Sequence, residues 1–265
     1  MTGARGAEGG VLLVSQEWPV LPGNPKTEVL LRRLQKARRG APRLAREIEM
    51  VIAVIVRLAG RSARVLEVAC GTGFAMLELA HRGFRTTGVD ADRHLCALTN
   101  HAAGYFGLDA VAVAADACAL PFADRSHDAV FSRSFFEHVY DVDLALREQA
   151  RILRRGGILI ILDGNLLNPM TLLDLLVFYP IRTRGQYGGL KWILTKRRVK
   201  RQLYGYLSQG RDEDVKTMWW WRRMLRRYRD LRIVEVGTSA RDVHPAWPGF
   251  LHPFLGYCKV VAQKI

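Results

Sequence analysis

The sequence predicts an α/β fold in which helices cover both faces of a mostly parallel sheet. Two observations predict this class. From Arg64 onward, short β-branched runs alternate with stretches of helical periodicity. Hydrophobic residues make up 49% of the 265 positions, which is enough for a packed core and excludes a disordered or fibrous chain. Because helices separate the strands, right-handed crossovers should make neighbouring strands parallel.

The segment before this alternation is predicted to be peripheral. Residues 1–25 are rich in Gly and Pro and show little periodicity, which predicts a flexible leader. Residues 26–60 carry apolar residues at helical spacing, but Gly40 interrupts the pattern and Pro42 opens a second apolar run. We therefore expect two N-terminal helices.

The core is predicted over residues 61–165, with a closing segment over residues 217–265. The expected core strands are residues 65–69, 86–89, 110–114, 128–132 and 157–162. The expected core helices are residues 75–81, 93–105 and 142–154. The closing segment should contain a helix at 219–228, followed by strands at 231–236 and 257–262.

The net charge of +15 is concentrated in one part of the chain. In residues 181–230, fifteen Lys or Arg oppose four acids, so this part carries +11 of the total. Such a basic block favours an anionic membrane surface, nucleic acid or an acidic small molecule as partner.

Cysteine usage and hydropathy bear on the compartment. Cys70, Cys96, Cys118 and Cys258 form no C-x-x-C pair and no His/Cys cluster, which argues against a disulfide framework or a structural zinc site. No stretch approaches the ~18 apolar residues of a membrane span, and the N-terminus lacks the architecture of a secretion signal. We expect a cytoplasmic protein, and the basic block leaves a membrane-peripheral position open.

A glycine turn after the first strand carries the main chemical signal. The turn runs from Ala69 through Gly71 to Gly73 and opens a helix, so a ligand can approach its backbone at a helix N-terminus. Asp90 ends the next strand, where a carboxylate can accept hydrogen bonds from both hydroxyls of a ribose. Together these features indicate a cofactor that contains adenosine, although a glycine turn alone is equally typical of a tight connection.

Two residues discriminate between the cofactor classes. A dinucleotide-binding turn needs a third glycine, but Met76 occupies that position. Glu67 places a carboxylate beside the turn, which would repel a diphosphate but suits a sulfonium and an ammonium group. The residues therefore favour S-adenosylmethionine over a nicotinamide dinucleotide, and a dehydrogenase is disfavoured.

Further motifs follow the later strands. They are Ala115-Asp116-Ala117, the run from Leu120 to Val130, the run from Ser132 to Val139 and the run from Leu153 to Ile160. In this order they resemble the class I S-adenosylmethionine-dependent methyltransferases, most closely the group that includes the ubiquinone and menaquinone biosynthesis methyltransferases. The resemblance covers about residues 60–165 and resumes weakly from Trp219. It implies a Rossmann-like sheet of seven strands, mostly parallel, with the last strand antiparallel.

The resemblance also implies which residues hold S-adenosylmethionine. All of them lie at or just beyond the carboxyl ends of the first four strands, and Ala69 replaces the first glycine that is usual in the family. The residues beside the methionine part are Glu67, Ala69, Gly71 and Gly73. The residues beside the ribose and adenine are Asp90, Ala91, Asp116 and Ala117, and those where the cofactor meets the acceptor are Ser132 and Arg133.

Glu137 and His138 suggest two further roles. Some members of the wider superfamily bind a divalent ion through E-x-x-E-H, but Ser134 occupies the first glutamate position, so we expect no metal. His138 is a candidate catalytic residue, a general base toward a hydroxyl acceptor, because an imidazole titrates near neutral pH. The alternative is a structural role for His138 in orienting its loop.

Residues 166–216 form an insert after the fifth strand. An apolar run opens it, and Trp with dense Lys and Arg follows, as in helices that lie on anionic lipid. Three roles are open: a lid over the acceptor, a lid that also touches a membrane, and binding of nucleic acid.

The expected function is methyl transfer from S-adenosylmethionine to a small or lipophilic acceptor by in-line displacement. The alternative is a non-catalytic scaffold of the same fold that docks on anionic lipid or RNA through the basic insert.

Overall fold

The computed structural model describes residues 17–178, 181, 215–243 and 248–265. The chain divides after Asp116 into two compact units. The Lys- and Arg-rich middle of the predicted insert, residues 182–214, lies outside the described residues.

The first unit contains helices and parallel strands in alternation. In chain order its elements are α1 (Thr27–Leu58), β1 (Arg64–Val68), α2 (Phe74–His81), β2 (Arg85–Asp90), α3 (Arg93–Phe106) and β3 (Ala110–Ala114). Strand β2 pairs in parallel with both β1 and β3. The carboxyl ends of these strands therefore meet at one edge, and the loops that leave this edge carry the predicted cofactor motifs.

The second unit contains the remaining strands. Its helices and strands are β4 (His127–Arg133), α4 (Val142–Ile152), β5 (Leu153–Asp163), α5 (Pro169–Leu173), α6 (Met218–Leu225), β6 (Leu231–Thr238), α7 (Ala240–Val243) and β7 (Cys258–Lys264). A π-helical turn (Asp174–Phe178) follows α5, and a 3-10 helix (Gly249–Phe254) precedes β7. Strands β4 and β5 are parallel, whereas β7 runs antiparallel to both β5 and β6.

The sheet has seven strands in the order β3-β2-β1-β4-β5-β7-β6. This confirms the predicted mixed sheet, mostly parallel with an antiparallel last strand. Residues 157–163 of β5 are all buried, as expected for a strand inside a sheet that is covered on both faces.

The prediction of two N-terminal helices is wrong, because α1 is a single helix of 32 residues that passes through Gly40 and Pro42. The apolar face of α1 explains the continuity, since Leu30, Ile48 and Ile55 are buried. An interior proline costs about 3 kcal/mol, and the burial of these residues before and after Gly40 and Pro42 outweighs that local penalty.

The last part of the predicted leader packs on the first unit. The Trp18 ring is buried edge-on against Phe74 and Phe106, with centroid distances of 4.9 and 5.6 Å. Lys26 forms an ion pair of 3.0 Å with Asp92, which lies just before α3. These contacts hold the chain that precedes α1 beside the first residue of α2.

The apolar start of the predicted insert is helical and exposed. Helix α5 and the π-helical turn present Met170, Leu173, Val177 and Phe178 to solvent. In the part of the chain that the structure describes, none of the helices combines the length and the hydropathy that a bilayer crossing requires.

Candidate active site

The glycine turn of the first unit is built from left-handed backbone. Ala69, Gly71 and Gly73 have φ values of 59°, 57° and 78°. Glycine adopts such angles without steric cost, whereas alanine pays about 1–2 kcal/mol. The positive φ of Ala69 therefore gives a physical reason for the glycine that is usual there, and the turn tolerates Ala69 at a small cost.

The backbone of this turn lies close to Thr99 of α3. A side chain at Gly73 would overlap the Thr99 side chain of α3. The Thr99 hydroxyl donates to the Gly71 carbonyl oxygen at 3.3 Å. The turn is thus packed against α3 on one side and leaves its amide groups at the N-terminus of α2.

Asp90 is joined directly to this turn. One carboxylate oxygen accepts a hydrogen bond from the Gly71 N–H at 2.8 Å, and the other accepts from the Asp92 N–H at 2.9 Å. A carboxylate can accept about four hydrogen bonds, so roughly two positions remain for a ligand. The half-buried Asp90 can therefore fix the turn and still accept hydrogen bonds from ribose hydroxyls, the role predicted for it.

Glu67 lies buried beside the start of α2. Its carboxylate accepts a hydrogen bond from the Met76 N–H at 2.8 Å. A negative charge at a helix N-terminus is stabilised by the helix dipole. This arrangement holds a carboxylate beside the glycine turn, as the sequence analysis expected for a cationic cofactor.

The remaining predicted residues of the first unit lie in the loops after β2 and β3. Ala91 and Asp116 are exposed. The Ala115 N–H donates to the Asp90 carbonyl oxygen at 3.0 Å, which ties the loop after β3 to the end of β2. The structure therefore brings the predicted ribose and adenine residues of this unit to the same edge.

The contacts of Asp92, which follows Asp90 by two residues, were not predicted from the sequence. Its carboxylate caps α3 by accepting from the His94 and Leu95 N–H groups, and it pairs with Lys26. Partial burial opposes ionisation, but the hydrogen bonds from Lys26 and the helix amides prevail and lower its pKa. The available signal was an aspartate directly before a helical run.

In the second unit, β4 ends in a sharp bend. Ser134 has a φ of 48°, and its N–H donates to the Leu162 carbonyl oxygen at 2.8 Å. The predicted Ser132 is buried, and its hydroxyl makes no hydrogen bond with a described residue. The predicted Arg133 is half-buried, with its guanidinium 5.2 Å from the centre of the Tyr257 ring. Ala117, at the start of this unit, is also half-buried.

Glu137 and His138 follow this bend. His138 Nε2 lies 3.6 Å from Glu137 Oε1, and the two side chains are 37% and 12% exposed. Gly164 makes room for Glu137, because a Cβ at that position would lie 2.5 Å from a carboxylate oxygen. Among the described residues, no group of three or more His, Cys, Asp or Glu side chains is arranged to hold a metal ion.

A buried charged pair, which sequence reasoning missed, lies at the end of β5. Burial raises the pKa of the Asp163 carboxyl to about 7, although the Lys216 ammonium and the backbone N–H groups of Phe135 and Glu137 oppose the shift. Neither carboxyl oxygen reaches good hydrogen-bond geometry with a described residue. Asp163 precedes the insert and Lys216 is the last residue of it, so their spacing in the sequence carried no signal.

Lys216 is held in place from several sides. It is 7% exposed, its ammonium lies 5.1 Å from the centre of the Trp220 ring, and its carbonyl oxygen accepts from the Leu166 N–H. The two ends of the predicted insert are thus joined next to β5.

Comparisons with known proteins agree with these observations. Residues 66–161 match a family described as "Methyltransferase domain". The chain is 32% identical over 147 residues to a demethylmenaquinone methyltransferase from Thermobifida fusca. The aligned region covers 55% of this chain and 60% of that protein. The chain is also 37% identical over 102 residues to a demethylmenaquinone methyltransferase from Thermus thermophilus. That aligned region covers 38% of this chain and 46% of the Thermus thermophilus protein. The chain thus spans less than two thirds of both relatives.

Solved structures share the fold. A putative S-adenosylmethionine-dependent methyltransferase from Methanococcus maripaludis superimposes with a TM-score of 0.55 at 16% identity, covering 94% of this chain and 97% of that one. A geranyl diphosphate C-methyltransferase from Streptomyces coelicolor superimposes with a TM-score of 0.58 at 17% identity, covering 92% and 88%. Residues 66–161 are therefore similar to the methyltransferase-domain family, and the chain has the fold of solved structures that are named as methyltransferases.

Proposed function

We propose that this chain is a methyltransferase that uses S-adenosylmethionine and methylates a small or lipophilic acceptor. The observation that carries the proposal is the geometry around the glycine turn. There the Asp90 carboxylate accepts a hydrogen bond from the Gly71 N–H, and the buried Glu67 carboxylate accepts one from the Met76 N–H in the first turn of α2.

The residues of the turn fit this cofactor. The absence of a side chain at Gly73 lets the turn pack closely on Thr99 in a left-handed conformation. Two carboxylates beside the turn suit a molecule that carries a sulfonium and an ammonium group, and they disfavour a diphosphate. The comparisons give no support to the alternative of a non-catalytic scaffold.

Methyl transfer from a sulfonium requires the protein mainly to position the cofactor and the acceptor. When bound, S-adenosylmethionine supplies a methyl group on a positively charged sulfur, and in-line displacement by an acceptor leaves S-adenosylhomocysteine. In this account Asp90 orients the ribose, and Glu67 offsets positive charge near the methionine part. Orientation and exclusion of water are sufficient to supply much of the rate enhancement.

His138 is the proposed general base where the acceptor carries a hydroxyl group. Its exposure leaves the imidazole accessible, and the nearby Glu137 carboxylate would stabilise the protonated ring. His138→Gln should lower kcat about 100-fold or more near neutral pH without changing the affinity for S-adenosylmethionine. Unchanged kcat would assign His138 the structural role in its loop.

A lipophilic acceptor is the finer part of the proposal. The relatives named above include demethylmenaquinone methyltransferases, and a structural neighbour is named as a geranyl diphosphate C-methyltransferase. The exposed apolar side chains of α5 and the following turn add a surface that suits contact with lipid. If they contact a membrane, Met170→Glu and Phe178→Glu should reduce co-sedimentation with phosphatidylserine-containing vesicles at low salt.

Tyr105→Glu is the matched control for that experiment, because Tyr105 is an exposed aromatic residue on α3 of the first unit. Equal losses in all three variants, or no sedimentation of the wild-type protein, would remove the membrane contact from the proposal.

Calorimetry with S-adenosylmethionine tests the cofactor assignment. The wild-type chain should bind, and Asp90→Ala should reduce affinity at least tenfold, because it removes charge-assisted hydrogen bonds. Asp90→Asn keeps the shape of the side chain and one acceptor oxygen, so it should reduce the affinity for S-adenosylmethionine less than Asp90→Ala does. Asp109→Ala, an equivalent change at an exposed position before β3, should bind like the wild type. Equal affinity of the Asp90→Ala and Asp109→Ala variants would contradict the assignment.

A further inference from the structure

We propose that a basic groove on the second unit binds a small organic diphosphate. The lining of the groove shares no residue with the set assigned to S-adenosylmethionine, and the proposal does not depend on the methyltransferase assignment. The groove has a volume of about 740 Å³ and lies among α4, α6 and the end of β7. That volume is in the range of sites that hold nucleotide-sized molecules.

The walls of the groove carry more positive than negative charge. The cations are Arg125, Arg147, Arg151, Arg227, Arg229 and Lys264. The acids are Asp124, Asp143 and Asp230. The walls therefore have an excess of three positive charges. Glu148 does not line the groove but forms an ion pair with Arg151, and counting it lowers the excess to two.

Every acid on the walls is already engaged by a cation. Asp124 pairs with Arg151 at 2.8 Å, Asp143 with Arg147 at 2.8 Å, and Asp230 with Lys264 at 2.5 Å. Arg125, Arg227 and Arg229 form no ion pair with a described residue. Arg227 still lies near enough to Asp143 for its charge to help lower the pKa of that carboxyl, so its charge is partly offset. All three of these arginines are exposed, so an incoming anion can reach them.

Hydrogen bonds give the groove a defined frame. The Tyr228 hydroxyl donates to the Asp143 carboxylate at 2.7 Å and thereby fixes the segment after α6 on α4. Arg151 donates to the Phe122 and Leu120 carbonyl oxygens at 2.8 and 3.0 Å, which holds the loop before β4. The unpaired arginines therefore project from anchored backbone.

The backbone at Arg125 is itself constrained. Arg125 adopts a φ of 58°, a left-handed conformation that is costly for a residue with a side chain. Its N–H donates to the Arg151 carbonyl oxygen at 3.1 Å, which holds that conformation. An arginine kept in strained backbone at the rim of a charged groove is typical of a ligand-binding position.

The ligand class follows from charge and geometry. A guanidinium group presents paired N–H donors that match the oxygens of a phosphate. An organic diphosphate carries about two to three negative charges at neutral pH and would match the surplus of the groove. A single carboxylate would leave most of this surplus uncompensated.

Calorimetric titration with inorganic pyrophosphate and with ADP at low ionic strength tests the proposal. Both probes should bind the wild-type chain. Arg227→Gln and Arg229→Gln should each weaken binding about tenfold, the loss expected for one charge-assisted contact. Arg155→Gln is the matched control, because it removes one exposed positive charge of the same unit that does not line the groove.

The proposal is overturned if neither probe binds, or if Arg155→Gln weakens binding as much as the groove variants. It is also overturned if the chain ignores both probes but binds phosphatidylserine vesicles or a single-stranded RNA, which would assign the charge to a macromolecular surface. Circular dichroism of each variant checks that the fold is intact. Binding of S-adenosylmethionine is measured separately, so failure of this proposal leaves the proposed function untouched.

Discussion

Gly73 shows how a single residue position controls the candidate cofactor site. It combines a φ of 78° with a position where a Cβ would overlap Thr99. Gly73→Ala should therefore lower the free energy of unfolding by about 2–5 kcal/mol, through backbone strain plus overpacking. Denaturant unfolding measures this loss, and calorimetry should show weaker binding of S-adenosylmethionine.

Gly83→Ala is the control for Gly73→Ala. Gly83 has a φ of 87° but no atom within 4 Å of a Cβ placed there. Only the strain of about 1–2 kcal/mol should remain. Equal destabilisation by the two substitutions would mean that the contact with Thr99 does not constrain the turn.

The buried Asp163 makes stability depend on pH. Its pKa rises from an ordinary 3.8 to about 7 in the folded chain, so the folded state binds more protons than the unfolded state between these values. The contribution of this group to stability is therefore fully present below about pH 4 and is lost as the pH rises to about 7.

Asp163→Asn keeps the volume of this side chain and removes its titration. Denaturant unfolding between about pH 4 and pH 8 should show a smaller decrease of stability with rising pH in this variant than in the wild type. The difference between the two curves reports Asp163 together with any change that the substitution causes at the neighbouring Lys216. Parallel curves would contradict the assigned shift.

At the residue scale, sequence order accounts for the contacts of the glycine turn with Asp90 better than for the meeting of Asp163 and Lys216. The turn residues, Glu67 and Asp90 lie close in the chain to their hydrogen-bond partners or at successive strand ends, so sequence order places them together. Asp163 and Lys216 meet only through tertiary folding across a long insert. No periodicity or spacing encodes such a contact.

At the element scale, α1 offers a direct test of the one wrong helix prediction. If α1 is continuous, Pro42 lies inside a helix and costs one hydrogen bond, so Pro42→Ala should raise the free energy of unfolding by up to about 3 kcal/mol. If Pro42 began a second helix, Pro42→Ala would leave the free energy of unfolding unchanged or lower it.

Circular dichroism and denaturant unfolding distinguish these outcomes. Pro22→Ala, in the turn before α1, serves as a control that changes a proline outside the helix. Loss of a proline gives the unfolded chain more conformational freedom and so lowers stability. A loss of similar size in both variants would therefore contradict the cost assigned to Pro42 within α1.

The strands were easier to predict than the N-terminal helix. Strand β3 has the predicted bounds, and the others differ by only a few residues at their ends. Short β-branched runs between turns encode strands locally. The continuity of α1 depends instead on burial of a long apolar face, which outweighs the local signals of Gly40 and Pro42.

At the scale of the whole molecule, the alternation of strands and helices predicted the α/β class, and the family resemblance supplied the number of strands and the antiparallel end. The charge pattern is more informative than the total of +15. Residues 181–230 carry +11, and within them Arg227 and Arg229 line the groove on the second unit. Part of the basic block thus has a defined place in the fold, in a groove whose lining includes none of the residues assigned to the cofactor.

The central claim is that the chain transfers a methyl group from S-adenosylmethionine. The most direct test is incubation with methyl-deuterated S-adenosylmethionine and a fractionated cell extract, followed by mass spectrometry. We expect formation of S-adenosylhomocysteine together with a product heavier by one deuterated methyl group, and at least tenfold less of both with Asp90→Ala when the cofactor is below saturation. Binding of the cofactor without either product, or equal turnover by the Asp90→Ala variant, would contradict it.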